Sequence, residues 1–285
     1  MSVSVTDRAG VLLRPASEFQ TLEPGVYLDV PFAEYLRAPA LSNSFLCGFE
    51  RSAGYAIWNR DAPVDEEAES ATDLGSLVHT LSLEPDQVSE RYLVMPQIKL
   101  NTNENREKAA GYEQQAKAAG LIPVDRTTFR KAQLMADSLI AHPDMRMWLR
   151  AANGYSEATI LWHDPETGLL CKARCDRLIF VTGGVVIFDV KTIARLDKLN
   201  RWYVQDYGYD RQRAHYCEAA ASLNCGHVWF YFGFVSSSLN IKRYPVRYVE
   251  LSPDLVASGH ERQRARLAKY KECLEFNDFS GAEII

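Results

Sequence analysis

Asp189 and Lys191 form an Asp-x-Lys triplet directly after the apolar run 185–188. Side chains two positions apart on a β-strand point to the same face of the sheet, so this carboxylate and this ammonium are expected to lie side by side. Burying charged groups at the end of an apolar strand costs free energy unless they have partners or a chemical role. The triplet therefore indicates either a salt bridge at a strand end or a pair that takes part in catalysis.

A second carboxylate, that of Asp176, belongs to the preceding predicted strand. It alternates with Lys172 and Arg174 on one face. A turn at Gly183–Gly184 closes a hairpin that can bring Asp176 beside Asp189. Mg²⁺ suits such a pair, because it binds through one or two carboxylates and keeps water and substrate phosphate as its other ligands. The two strands therefore predict a magnesium site, at which Mn²⁺ is expected to substitute.

Four further residues could join this site. Glu157 opens the first predicted strand, and His79 lies on a short predicted helix. Gln212 and Tyr216 are four positions apart and so share one face of a later helix. Each signal is weak by itself, since a lone histidine on such a helix is more often a core residue than a ligand. Their order and spacing together make a functional site the better interpretation.

The elements that must position these residues follow from hydrophobic periodicity. Residues 1–25 show little periodicity and are predicted to be an irregular segment, whereas residues 26–285 are predicted to form one domain. That domain begins with a helical part at about 41–150, with helices at 105–119 and at 127–150, the second broken at Pro143. A sheet core at about 156–251 follows, with strands at 158–162, 169–180, 185–190, 228–235 and 244–251, a helix at 207–223 and a final helix at 254–275. This order predicts an α/β fold with a mixed central sheet flanked by helices.

The ordered set of residues resembles the RecB-like branch of the PD-(D/E)xK nuclease superfamily. The pattern of that branch is a helical histidine, a strand glutamate, a strand aspartate, an Asp-x-Lys strand and a Gln-x-x-x-Tyr helix. Here these positions are His79, Glu157, Asp176, Asp189 with Lys191, and Gln212 with Tyr216. Further segments, such as Leu41-Ser-Asn-Ser and Arg243-Tyr-Pro-Val246, are similar to RecE-like nuclease domains, and the resemblance covers roughly residues 25–275. It implies a restriction-endonuclease-like core.

The resemblance also implies an activity and partners. The implied activity is that of a magnesium-dependent exonuclease, which degrades one strand of linear double-stranded DNA from 5′ to 3′ and leaves 3′ overhangs. The implied assembly is a ring-shaped homo-oligomer, and the implied partner is a single-strand annealing protein from a phage recombination module. Asp176 and Asp189 would hold one or two metal ions, with the backbone carbonyl of Val190 and with His79 completing the shell. Lys191 would orient or deprotonate the attacking water, and Glu157 would bind the metal or its waters.

A basic segment follows the Asp-x-Lys strand. Residues 191–213 carry six basic and three acidic side chains, a net charge of +3 in a chain of net charge −5. We expect Arg195, Lys198, Arg201 and Arg211 to contact DNA phosphates, with Gln212 and Tyr216 positioning the DNA end or bracing the site.

Composition and motifs exclude several other classes. The chain has 285 residues, an apolar content of 47% and no apolar run of the length that a membrane helix needs. It lacks a phosphate-binding Gly-Lys loop, so no nucleotide cofactor is expected. Its cysteine spacing predicts free thiols in a cytoplasmic protein, and no iron–sulfur cluster is expected. Two alternatives stay open: an endonuclease or single-strand-specific nuclease with the same metal site, and a DNA-binding protein without activity.

Overall fold

The structure is a computed structural model that describes residues 5–6, 10–63, 74–99 and 101–281. Its described helices flank a central sheet on both faces. The helices are α1 (Phe32–Arg37), α2 (Asn43–Cys47), α3 (Ala53–Asp61), α4 (Leu74–Leu83), α5 (Val88–Arg91), α6 (Asn103–Ala118), α7 (Arg126–Ala141), α8 (Pro143–Leu149), α9 (Arg201–Asp206), α10 (Tyr209–Ala221) and α11 (Pro253–Phe276).

The described strands form one large sheet and one small one. They are β1 (Val5–Thr6), β2 (Leu12–Pro15), β3 (Gly25–Leu28), β4 (Tyr92–Met95), β5 (Ile122–Asp125), β6 (Gly154–His163), β7 (Leu170–Val181), β8 (Gly184–Ile193), β9 (His227–Ser236) and β10 (Val246–Val249). Among the described residues the large sheet has the order β1-β2-β3-β6-β7-β8-β9-β10, and β4 pairs with β5 alone. Strands β6, β7 and β8 run antiparallel, whereas β9 runs parallel to β8. The predicted mixed α/β fold is therefore confirmed.

Strand β8 is an interior strand of the sheet, and its composition explains why. All residues from Gly184 to Val190 are buried, which requires cover on both faces. Val185 and Ile187 pack in the core cluster that includes α10 and α11, and Val186 and Phe188 pack in the cluster that includes α4, α7 and α8. The parallel pairing of β8 with β9 needs a crossover, which α9 and α10 supply. The end of β8 is thereby fixed between two layers of helices.

The N-terminal segment differs from the prediction. Residues 1–25 were expected to be irregular, but β2 joins the large sheet and pairs in parallel with β3, which in turn pairs with β6. Val26 and Tyr27 are fully buried there. The strands escape periodicity analysis because each has four residues, and because Pro15 and Gly25 stand at strand ends rather than between strands.

The helical part follows the predicted breaks more closely. Helix α7 ends at Ala141 and α8 begins at Pro143, which occupies the first turn, where a proline has no hydrogen bond to lose. The segment predicted as one helix at 207–223 is preceded by the separate helix α9, and Gly208 joins them with φ 72°. This left-handed glycine lets α10 start in a new direction under the sheet.

None of the described helices is both long and apolar enough to span a bilayer.

Candidate metal centre and nucleic-acid cleft

The candidate site lies where the hairpin of β7 and β8 opens. Backbone pairing runs from Val181 with Gly184 to Arg177 with Phe188. The next position places Asp176 opposite Asp189, but the ladder stops there. Instead, the backbone N–H of Val190 donates a hydrogen bond of 2.7 Å to the Asp176 carboxylate. The Asp176 side chain thus takes the place of a backbone partner for Val190, and Asp189 lies close enough for its charge to act on Asp176, as the hairpin predicts.

The neighbouring strand is distorted at the same level. Glu157 stands opposite Asp176 in the register of β6 and β7, yet the pair is missing between Ser156–Arg177 and Ala158–Cys175. Glu157 has φ 52°, a left-handed conformation that costs a residue other than glycine about 1–2 kcal/mol. Such strain persists only where the surrounding strands enforce it, and it is characteristic of functional sites.

Three side chains from three elements converge at this distortion. His79 of α4, Glu157 of β6 and Asp176 of β7 each offer a ligand atom, and these atoms all lie within 4.8 Å of one another. His79 Nδ1 is 3.4 Å from Asp176 Oδ2. One imidazole nitrogen and two carboxylates are ligands that Mg²⁺ and Mn²⁺ accept. This group, which we call the metal cluster, brings together the histidine, the glutamate and the first aspartate of the sequence prediction.

Asp189 is held beside the metal cluster by two partners. Its carboxylate is 1% exposed and forms an ion pair with Lys191, as the Asp-x-Lys spacing predicts. Gln212 of α10 donates a hydrogen bond of 2.8 Å to Asp189 Oδ2. Oδ1 carries the ion pair with Lys191, and a carboxylate oxygen has a second lone pair for a further ligand. Gln212 therefore braces Asp189, one of the two roles expected for it.

The electrostatics of the site favour a bound cation. Burial, together with the negative charge of Asp189, raises the pKa of Asp176 to about 7. Burial lowers the pKa of Lys191, but the charges of Asp189 and Asp176 outweigh it and bring the pKa above its ordinary value. Lys191 is thus an ammonium at neutral pH and a poor base. The raised pKa of Asp176 means that nearby positive charge does not fully offset its burial. A divalent metal ion would supply that charge, so the residues present fit such an ion.

A cleft of about 880 Å³ opens over this site. His79, Glu157 and Lys191 line it, together with two arginines that the sequence did not single out as site residues, Arg91 and Arg174. Arg174 Nε lies 2.6 Å from Glu157 Oε2, and its alternation with Asp176 was the available signal. Arg91 pairs with Glu84, which also lines the cleft, at 2.8 Å.

The basic segment after β8 is only partly arranged as predicted. Arg195, Lys198 and Arg201 are exposed. Arg195 pairs with Asp197 at 2.6 Å, and Arg201 pairs with Asp254 at 3.2 Å.

Arg211 contradicts the expected phosphate contact. It is 4% exposed, and its guanidinium lies 2.7 Å from the Glu50 carboxylate and donates to the backbone oxygen of Gln205. The turn at Gly208 directs the first turn of α10 inward, so this arginine stabilises the fold instead of facing DNA.

Tyr216 is partly buried. It lies one turn after Gln212, packs against the core with its ring 6.4 Å from that of Phe230, and does not line the cleft described above. Burial raises the pKa of its hydroxyl well above the ordinary value. This packing fits the bracing role expected for Tyr216, and its contact with DNA stays a prediction.

Comparison with known proteins agrees with this geometry. Residues 42–281 match a family described as "PDDEXK-like domain of unknown function". A crystal structure of a candidate exonuclease from Eubacterium rectale superposes with a TM-score of 0.54 at 14% identity, covering 89% of this chain and 94% of that one, and so shows the same fold. A second structure, SSO0001, gives a TM-score of 0.27 at 16% identity over 58% of this chain and 70% of its own, too low to carry an argument. No curated protein matches the sequence.

The family match covers most of the chain and includes every member of the metal cluster, Asp189, Lys191 and Gln212. The resemblance inferred from the sequence is confirmed by it. The chain belongs to the PDDEXK-like domain family and has the fold of PD-(D/E)xK nucleases.

Proposed function

We propose that this protein is a metal-dependent deoxyribonuclease that hydrolyses DNA from the ends of linear duplexes. The observation that carries the proposal is the convergence of His79, Glu157 and Asp176 within 4.8 Å, beside the buried pair of Asp189 and Lys191. Acidic residues next to a fixed ammonium, in a cleft that two arginines also line, suit a phosphodiester as substrate.

The metal cluster and Asp189 supply the ligands. His79, Glu157 and Asp176 would hold a divalent cation, with Asp189 Oδ1 and the Val190 carbonyl as further donors. When bound, Mg²⁺ or Mn²⁺ lowers the pKa of a water and neutralises charge on the scissile phosphate. The chain's own contribution is rigidity, because Val190 N–H fixes Asp176 and Gln212 fixes Asp189 before any substrate arrives.

Lys191 provides positive charge beside the reacting phosphate. Because the adjacent carboxylates keep it protonated, it orients the attacking water and stabilises the developing oxyanion, rather than removing a proton. Arg174 and Arg91 lie on the cleft walls, where their guanidinium groups suit the neighbouring phosphates. Together these groups bind and orient a DNA backbone over the metal cluster.

The finer assignment follows the RecE-like resemblance. We infer degradation from 5′ to 3′, with 3′ overhangs as product and Mg²⁺ as the physiological metal. A ring-shaped homo-oligomer and a single-strand annealing partner, as in a phage recombination module, belong to the same inference, since enclosing DNA keeps an exonuclease on its substrate. A cytoplasmic location accords with this role.

The test compares linear duplex DNA with covalently closed circles of the same sequence, each in Mg²⁺ and in EDTA. We expect loss of the linear form only, dependent on metal and abolished in Asp189→Ala. The matched control is Asp137→Asn, which changes an exposed carboxylate on α7, outside the cleft. Nicking of the circles would indicate an endonuclease instead, and degradation in EDTA would contradict the role of the metal.

Strand polarity is measured on duplexes that carry a fluorophore at one 5′ end or one 3′ end. Release of the 5′ label as a mononucleotide from the first cycles, with the 3′-labelled strand kept long, is the expected result. Early release of the 3′ label would reverse the assigned direction.

A further inference from the structure

A group of aromatic side chains adjoins the cleft on the side of α9. Tyr203 and Tyr207 stack with their ring centres 4.2 Å apart and their planes inclined by 23°. Tyr207 and Tyr209 follow at 5.9 Å and 25°. We call these three rings, together with Trp202 of α9, the aromatic step.

The outer part of the aromatic step is open to solvent. Tyr207 is 62% exposed and Trp202 is 67% exposed. Leaving such large rings in water forgoes the free energy that their burial gives, so a cluster of them beside a cleft indicates an interaction site.

The inner end of the aromatic step enters the candidate active site. Tyr209 lines the cleft, and the Lys191 ammonium lies 5.7 Å from the centre of its ring. The stacked rings therefore connect the exposed surface with the pair of Lys191 and Asp189. A ligand bound along the aromatic step therefore extends toward the residues that we propose for hydrolysis.

Three exposed cations lie near the aromatic step, two of them also paired with carboxylates. Exposed Arg195, Lys198 and Arg201 lie on the same segment, and the Arg201 guanidinium is 5.5 Å from the Trp202 ring centre. Aromatic faces bind bases that are free of a duplex, while neighbouring cations bind the phosphates between them. A paired duplex does not present its base faces, so this combination favours an unpaired strand.

We propose that the aromatic step binds the unpaired bases of a single DNA strand at the mouth of the cleft. The proposal rests on the function proposed above and deepens it, because it assigns a route to the strand that enters or leaves the site. It predicts affinity for single-stranded DNA that does not depend on hydrolysis.

The experiment measures fluorescence anisotropy of a labelled 12-nucleotide oligothymidylate and of a blunt duplex, both in EDTA, so that hydrolysis cannot interfere. We expect Tyr207→Ala and Trp202→Ala each to weaken oligothymidylate binding about fivefold or more, with duplex binding changed less than twofold. Tyr207→Phe keeps the stacking ring and should bind like the wild type. Trp58→Ala is the matched control, since Trp58 is 60% exposed on α3, away from the cleft.

The outcomes separate this proposal from the proposed function. Oligothymidylate affinity that is unchanged in both alanine variants, or equally reduced in Trp58→Ala, would overturn the aromatic step even if the enzyme degrades DNA. Selective loss in Tyr207→Ala and Trp202→Ala would support it even if no hydrolysis were found. Dissociation of an oligomer by these variants, seen in sedimentation without oligothymidylate, would instead assign the surface to a second copy of the chain and refute the proposal.

Discussion

Asp176 is predicted to weaken the fold while it serves the metal cluster. Its pKa rises from 3.8 to about 7 through burial and the charge of Asp189, so keeping it ionised in the folded protein costs free energy. A difference of about three pKa units corresponds to about 4 kcal/mol at about 1.4 kcal/mol per unit. The substitution Asp176→Asn removes this charge and keeps an acceptor for the Val190 N–H. We therefore expect the variant to unfold at higher urea concentration than the wild type when no metal is present.

The pH dependence has a definite sign. Because the folded pKa is raised, the wild type has its full stability below the unfolded pKa of about 4 and loses it as the pH rises through about 7. In EDTA, Asp176→Asn should be more stable than the wild type by up to about 4 kcal/mol at pH 8, and by about 2 kcal/mol at pH 5.

The assay is urea unfolding followed by circular dichroism in EDTA at these two pH values, repeated with excess Mg²⁺. Metal should raise the wild-type midpoint and leave that of Asp176→Asn unchanged, since a ligand that binds the folded state stabilises it. Asp137→Asn, an exposed carboxylate, should match the wild type throughout. An Asp176→Asn variant that is no more stable at pH 8, or whose advantage does not shrink at pH 5, would refute the reasoning.

Three further changes test separate contacts. Gln212→Leu removes the hydrogen bond to Asp189, which should lower kcat on linear duplex by tenfold or more with KM nearly constant. An unchanged kcat would contradict the bracing role of Gln212. Lys172→Met removes an ammonium that donates to the backbone oxygens of Tyr35, Leu36 and Ala38 at the end of α1. Urea unfolding should show that the free energy of unfolding falls by about 3 kcal/mol, which the change of an ordinary surface lysine would not cause. Ile241→Asn should raise the free energy of unfolding by about 1 kcal/mol, because Ile241 is 89% exposed with φ 47°, a conformation that asparagine tolerates better. A lower free energy of unfolding would instead show that the isoleucine makes a contact that the fold needs.

Alternation along strands was sufficient to predict the central part of the site. Asp189 and Lys191 had to share a face, and the hairpin had to bring Asp176 near them. Gln212 was predictable as a neighbour, but its partner was not, because a hydrogen bond to Asp189 depends on how α10 packs under β8. These positions follow from local geometry plus one turn.

Other parts of the site depend on tertiary structure that periodicity does not encode. The left-handed backbone of Glu157 lies where its pairing with β7 is interrupted, and nothing in its sequence context signals it. From its sequence context Arg211 is expected to be a surface cation, but the turn at Gly208 directs it toward Glu50. Arg91 reaches the cleft through its contacts with Thr80 at the end of α4 and with Glu84 just after it, and these segments carry no motif that signals the contact.

The most direct test of the central claim combines metal binding and hydrolysis in one sample. Mn²⁺ is titrated into the protein and followed by electron paramagnetic resonance, and the rate on end-labelled linear duplex is measured at each point. The account predicts that activity rises with Mn²⁺ occupancy in the wild type, and that Glu157→Gln and Asp176→Asn lose both together. Unchanged Mn²⁺ affinity in these variants, or hydrolysis that persists without bound metal, would contradict it.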